Sequence, residues 1–109
     1  MSNINSVTLT GNLTREPKLT ETSGGLPVLE LSVASSNHRD EAHPLYIDCT
    51  VYGNRAEPLE GLLHKGDKVA LAGYLRFDQW DAEDGSKHSK HRVVVSEVDL
   101  LSAKRQSDG

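Results

Sequence analysis

Residues 45–77 read LYIDCTVYGNRAEPLEGLLHKGDKVALAGYLRF, and the change of period inside them decides the fold. From Leu45 to Gly53 the apolar residues alternate. Leu45, Ile47, Cys49 and Val51 share one parity, and Tyr46, Asp48, Thr50 and Tyr52 share the other. A period of two belongs to a half-buried strand. Arg55 to Lys65 then carries Leu59, Leu62 and Leu63 on one side and ends at Gly66, a pattern that predicts a helix. Pro58 falls in its first turn, where a missing N–H costs little. Alternation resumes in Val69, Leu71, Gly73, Leu75 and Phe77, so a strand follows the helix.

Outward from this stretch, strands dominate. Val7, Leu9 and Leu13 share a face in a first strand, with Gly11 marking a bulge or bend, and Arg15-Glu16-Pro17 breaks it. Ser23-Gly24-Gly25 supplies a turn, and Val28 to Ser35 alternates again with Leu29, Leu31 and Val33 inward. Residues 36–44 are polar and read as a mobile loop. Asp84-Gly85 marks the tip of a long polar hairpin connection, after which His91 to Leu101 forms the last strand. The order is β-β-β-α-β-β. It predicts an all-β domain over residues 1–102, a five-stranded Greek-key OB-fold barrel with one helix between strands 3 and 4, and a short polar tail over 103–109.

A chain of 109 residues holds one domain, and a 36% hydrophobic fraction implies a compact core. The single Cys49 cannot form an intramolecular disulfide; a buried thiol in a reducing compartment is expected. No basic region followed by an apolar one opens the chain, and no apolar run reaches membrane-spanning length, so no membrane partner is expected. The net charge of −4 argues against a nucleic-acid partner at first reading. Net charge describes the whole surface, however, whereas binding depends on one face.

That face is unusual. Tyr46 and Tyr52 take the outward parity of the third strand; Tyr74 and Arg76 take that of the fourth, with Trp80 just beyond on the same parity. Of the five Phe, Trp and Tyr residues only Phe77 has core parity. Rings on an exposed sheet beside cations suit sequence-tolerant stacking of bases, worth about 1–3 kcal/mol each, or roughly 3–9 kcal/mol for three. The alternative is that the same rings bury a subunit interface.

Three segments carry a family resemblance. Residues 5–17 (NSVTLTGNLTREP) resemble the first-strand signature of bacterial single-stranded DNA-binding proteins; residues 52–57 (YGNRAE) resemble their exit from strand three; and residues 63–76 (LHKGDKVALAGYLR) resemble their helix end and fourth strand. The resemblance covers residues 3–101. It implies a non-enzymatic OB-fold protein, usually a homotetramer, that coats single-stranded DNA with little sequence preference during replication, recombination or repair.

It also implies base stacking on Tyr46, Tyr52 and Trp80, with His38 filling a fourth, usually aromatic, position and Arg76 a basic one. Asp48, Asp78 and Gln79 stand where relatives often carry cations. Further candidates for phosphate contact are Lys18, Arg39, Arg55, Lys65 and Lys68, with Lys87, Lys90 and Arg92; for each of them a solvated surface charge is the plain alternative. The chain ends Arg105-Gln106-Ser107-Asp108-Gly109, without the acidic, aromatic-terminated tail usual in the family, so recruitment of enzymes through such a tail is not expected. The expected location is the cytoplasm of a bacterium, as a nucleoid-associated, phage or mobile-element protein.

Two other classes of reading stay open. One is an OB-fold assembly factor, similar to primosomal replication proteins, that acts mainly through protein contacts. The other is a structural oligomer. His88-x-x-His91, with His38 and His43, lacks a Cys cluster or acidic ligands at recognised spacing, so no metal is expected. No nucleophile has a base and orienter at a familiar spacing and no glycine loop cradles phosphate, so neither catalysis nor a cofactor is expected.

Overall fold

The alternating segments become strands of one curled sheet. The computed structural model describes residues 3–36, 39 and 42–102; His38 and the polar segment 103–109 lie outside the described residues. The elements are β1 (Val7–Leu13), β2 (Lys18–Glu21), β3 (Pro27–Ser35), β4 (Leu45–Tyr52), α1 (Ala56–Leu62), β5 (Lys68–Asp81) and β6 (Lys87–Ser102). Strand order in the sheet is β1-β5-β6-β4-β3-β2. Asn12 and Leu13 of β1 pair with Ala34 and Val33 of β3, which closes the barrel. Apart from the short β2, the long strands carry the helix between the third and the fourth of them. This is the OB-fold.

Closure explains Gly11. It is buried where β1 leaves β5 for β3, and a methyl group there would lie 2.4 Å from the Ala34 carbonyl oxygen. The core comprises Leu29, Leu31 and Val33 of β3, Cys49 and Val51 of β4, Val69 and Leu71 of β5, Val93 and Val95 of β6, and Leu13. Ala56 and Leu63 plug one end from the helix.

Several details depart from the sequence reading. A four-residue strand, β2, follows the Pro17 break; its single apolar residue, Leu19, made it illegible, and its pairing from Lys18–Glu30 to Glu21–Pro27 is supplied by β3. The helix is shorter than residues 55–65, and it buries Ala56 and Leu63 whereas Leu62 is exposed. β5 runs on to Asp81 and β6 begins at Lys87, so the connection is a tight turn rather than a long one, with Ala82 N–H donating to the Ser86 carbonyl and Gly85 at φ 88°.

The two strands project past the barrel as a β-ribbon arm, and this changes Phe77. Its parity is that of the core, yet it is 51% exposed, because at that point the ribbon has left the core behind. Leu75 on the same strand and Leu45 at the start of β4 are exposed as well. Thr50, of outward parity, is buried, since strands flank it on both sides.

Candidate nucleic-acid interface

Sheet register assembles the outer face from rows of residues. One row runs Ser32, Asp48, Arg92, Arg76 across β3, β4, β6 and β5. The next runs Lys18, Glu30, Thr50, Val94, Tyr74 across β2 to β5. Tyr46 and Tyr52 flank these rows on β4, and Asp78–Lys90 and Trp80–His88 continue them along the arm. Side chains of directly paired residues lie on the same side of a sheet. The structure therefore brings Tyr46, Tyr52, Arg76 and Trp80 to one face, with Tyr74, Lys90 and Arg92 beside them.

The rings are available on that face. Tyr46 is 68% exposed and Trp80 46%, whereas Tyr52 is half-buried because Arg76 lies over it, Cζ 5.6 Å from the ring centroid. This contact is a cation–π interaction. Trp80 stacks on His88 across the ladder, centroids 5.8 Å apart and planes 18° apart. Together with Gln79, Asp81 and Lys87 they line a cleft of about 230 Å³. The imidazole is held in turn: Ser86 Oγ donates to Asp84 Oδ1 at 2.6 Å and lies 2.9 Å from His88 Nε2. With its one O–H spent on a carboxylate, Ser86 accepts from His88, so Nε2 carries a proton.

The cations are partnered. Arg76 donates to Asp78 through Nε at 2.9 Å and Nη2 at 3.3 Å. Arg92 Nε lies 2.7 Å from the same carboxylate. Lys90 pairs with Asp48. The hydrogen bonds from Arg76 hold the Asp78 carboxyl below its usual value, and the charge of Arg92 adds to this. The Asp78 contact and the Tyr52 contact raise the Arg76 guanidinium further above its already high value.

The other expected phosphate contacts are dispersed. Lys18 borders the face through its pairing with Glu30. Arg55 is exposed at the N-cap of α1, and Arg39 is exposed in the β3–β4 connection. Lys65 and Lys68 lie at the end of β5 opposite Trp80, where Glu16 accepts the Lys65 N–H. Among the described residues no group of His, Cys, Asp and Glu could hold a metal ion, and no helix is long and apolar enough to cross a membrane.

The Trp80–His88 stack and the carboxylate partners of the cations escaped the sequence reading. A signal for the stack was present: each pair on the arm is equidistant from Asp84, so centring the hairpin there yields its register, whereas Asp48 reaches Lys90 only through the pairing of β4 with β6.

Fold and face together define a small OB-fold protein with an aromatic and cationic sheet surface. Residues 4–101 match the Single-strand binding protein family, and the chain belongs to that family. It is 37% identical to the single-stranded DNA-binding protein of Borreliella burgdorferi over 94% of this chain and 73% of the relative. It is 32% identical to single-stranded DNA-binding protein 2 of Chlorobaculum tepidum, over 100% of this chain and 78% of that one. Identity to the single-stranded DNA-binding protein of Deinococcus radiodurans is 36%, over 90% of this chain and 34% of the relative.

Proposed function

We propose that this protein binds and coats single-stranded DNA with little sequence preference, without catalysis, through the outer face of β4, β5 and β6. The observation that carries the reading is the gathering of Tyr46, Tyr52 and Trp80 on one sheet face among Arg76, Lys90 and Arg92. Stacking is indifferent to base identity because every base has a π-face, and cations alongside track the phosphates. Family membership supports the same reading. The binding domain is residues 1–102, and the roles belong to cytoplasmic replication, recombination or repair in a bacterial host.

Oligo-dT added at low salt should change the emission of Trp80, the single tryptophan, and shift the protein's mobility. Affinity should fall as salt rises. Unchanged emission with no mobility shift would remove this reading.

Self-association, as a homotetramer, is the second part of the proposal. Its support is the exposed apolar reverse face of the arm, Leu75 and Phe77. Light scattering on a sizing column decides it: a monomer at all concentrations would leave those residues to protein partners, as in an assembly factor.

A further inference from the structure

We propose that Arg76 and Arg92 form a phosphodiester-binding site and that Asp78 is its built-in competing anion, occupying the site in the DNA-free protein. The inference rests on the single-stranded DNA reading above and concerns how that face meets the backbone.

Arg76 and Arg92 are direct partners across the β5–β6 ladder. Like charges placed opposite one another destabilise a sheet unless an anion sits between them. The Asp78 carboxylate does so, touching Arg76 with both oxygens and Arg92 with Oδ2. Two guanidinium groups converging on one two-oxygen anion is also how arginine receives phosphate. The internal anion fits imperfectly. Arg92 Nε is buried and, although 2.7 Å from Oδ2, makes no hydrogen bond of acceptable geometry. Buried donors left in this state are costly. The Arg92 side chain as a whole is 23% exposed, so a phosphodiester arriving from solvent can meet the outer part of its guanidinium once the Asp78 carboxylate gives way.

The same arrangement recurs one step away, where Asp48 holds Lys90. Three cations against two carboxylates leave this cluster with one net positive charge. DNA binding is then an exchange of carboxylate for phosphate on arginines already ordered by Asp78. Cations neutralised in advance hold fewer exchangeable counterions, so both affinity and salt dependence are lower than the number of basic residues implies.

The test compares the wild-type protein with Asp78→Asn for binding of labelled oligo-dT by anisotropy over a range of salt. Asp78→Asn should bind about 2- to 5-fold more tightly near 0.15 M salt, as expected when a partly exposed ion pair no longer competes. Its log–log salt slope should steepen by roughly 0.7, one further single-strand phosphate. The gain should persist on a length-matched abasic phosphodiester chain and vanish when Arg92→Ala is added. Glu83→Gln, an exposed acid on the same hairpin, is the control for net charge. An equal gain in Glu83→Gln, or no gain in Asp78→Asn, would overturn the proposal while wild-type binding upheld the DNA reading. Loss of binding in every protein, wild type included, would overturn both.

A second measurement needs no variant. In the wild-type protein the Nε–Hε resonances of Arg76 and Arg92 should move when oligo-dT is added. Saturated binding with both unmoved would also overturn the proposal.

Discussion

The indole of Trp80 lies almost parallel to the imidazole of His88, across the last pairs of the β5–β6 ladder. The offset contact with the imidazole holds the indole while 46% of Trp80 stays exposed, so the tryptophan is pre-ordered for stacking. Trp80→Ala should weaken oligo-dT binding by about 1–3 kcal/mol, with the oligomer unchanged in light scattering. His88→Ala should cost less, because the indole stays but loses its support. Equal losses would make the two rings a single unit.

Tyr46 separates binding from stability. Because it is 68% exposed, Tyr46→Ala should change unfolding free energy by no more than about 0.5 kcal/mol. Its effect on oligo-dT affinity should be about 1–3 kcal/mol. Urea denaturation and anisotropy read the two quantities; a loss of stability without a loss of binding would assign the ring to structure.

Gly73 and Gly11 report on barrel closure. A methyl group at Gly73 would lie 1.9 Å from the Val94 carbonyl oxygen, beside the register shift between Ala72 and Gly73. Gly73→Ala and Gly11→Ala should each destabilise the fold by about 1–3 kcal/mol or more, as overpacking does. Gly24→Ala, where a methyl group has room, should be nearly silent in the same denaturation series.

Cys49 should be inert in the native state. Burial, reinforced by the neighbouring Asp48 charge, pushes its thiol up to about 12. Since the thiolate is the reactive species, an aromatic disulfide reagent at pH 8 should modify it only at the rate of opening. Labelling should therefore accelerate in parallel with urea-induced unfolding, and prompt modification in buffer would contradict the buried thiol.

Acidification should probe Asp78. Its folded-state value is depressed, so its pairing stabilises the protein above the ordinary carboxylate value of 3.8 and is lost as pH falls through the lower folded value. The group is partly exposed, so the contribution should stay below about 1 kcal/mol. Melting curves of wild type and Asp78→Asn should differ by a constant amount near neutrality and converge in acid.

Strand identity was legible wherever one face of a strand is buried. Leu29, Leu31 and Val33 alternate in the sequence and are buried in the barrel, as are Cys49 and Val51. The outward parity of Tyr46, Tyr52, Arg76 and Trp80 could be read for the same reason. The arm was only partly legible. Residues 78–81 and 87–90 bury little, and their strand form rests on ladder hydrogen bonds and ion pairs that leave no hydrophobic period. Phe77 shows the limit from the other side, since parity says which way a ring points and not whether the barrel is still beneath it.

By itself the sequence determined the order of the long strands and the helix, the barrel class and the outward parity of Tyr46, Tyr52, Tyr74 and Trp80, because hydrophobic alternation is a local property. Only the tertiary structure decided which charges meet. Asp48 and Lys90, 42 residues apart, become neighbours through the parallel pairing of β4 with β6. Arg76 and Arg92 share Asp78 through the hairpin register. Long-range register sets the distances of Asp48 to Lys90 and of Arg92 to Asp78; only Arg76 and Asp78, two residues apart on β5, meet within one strand.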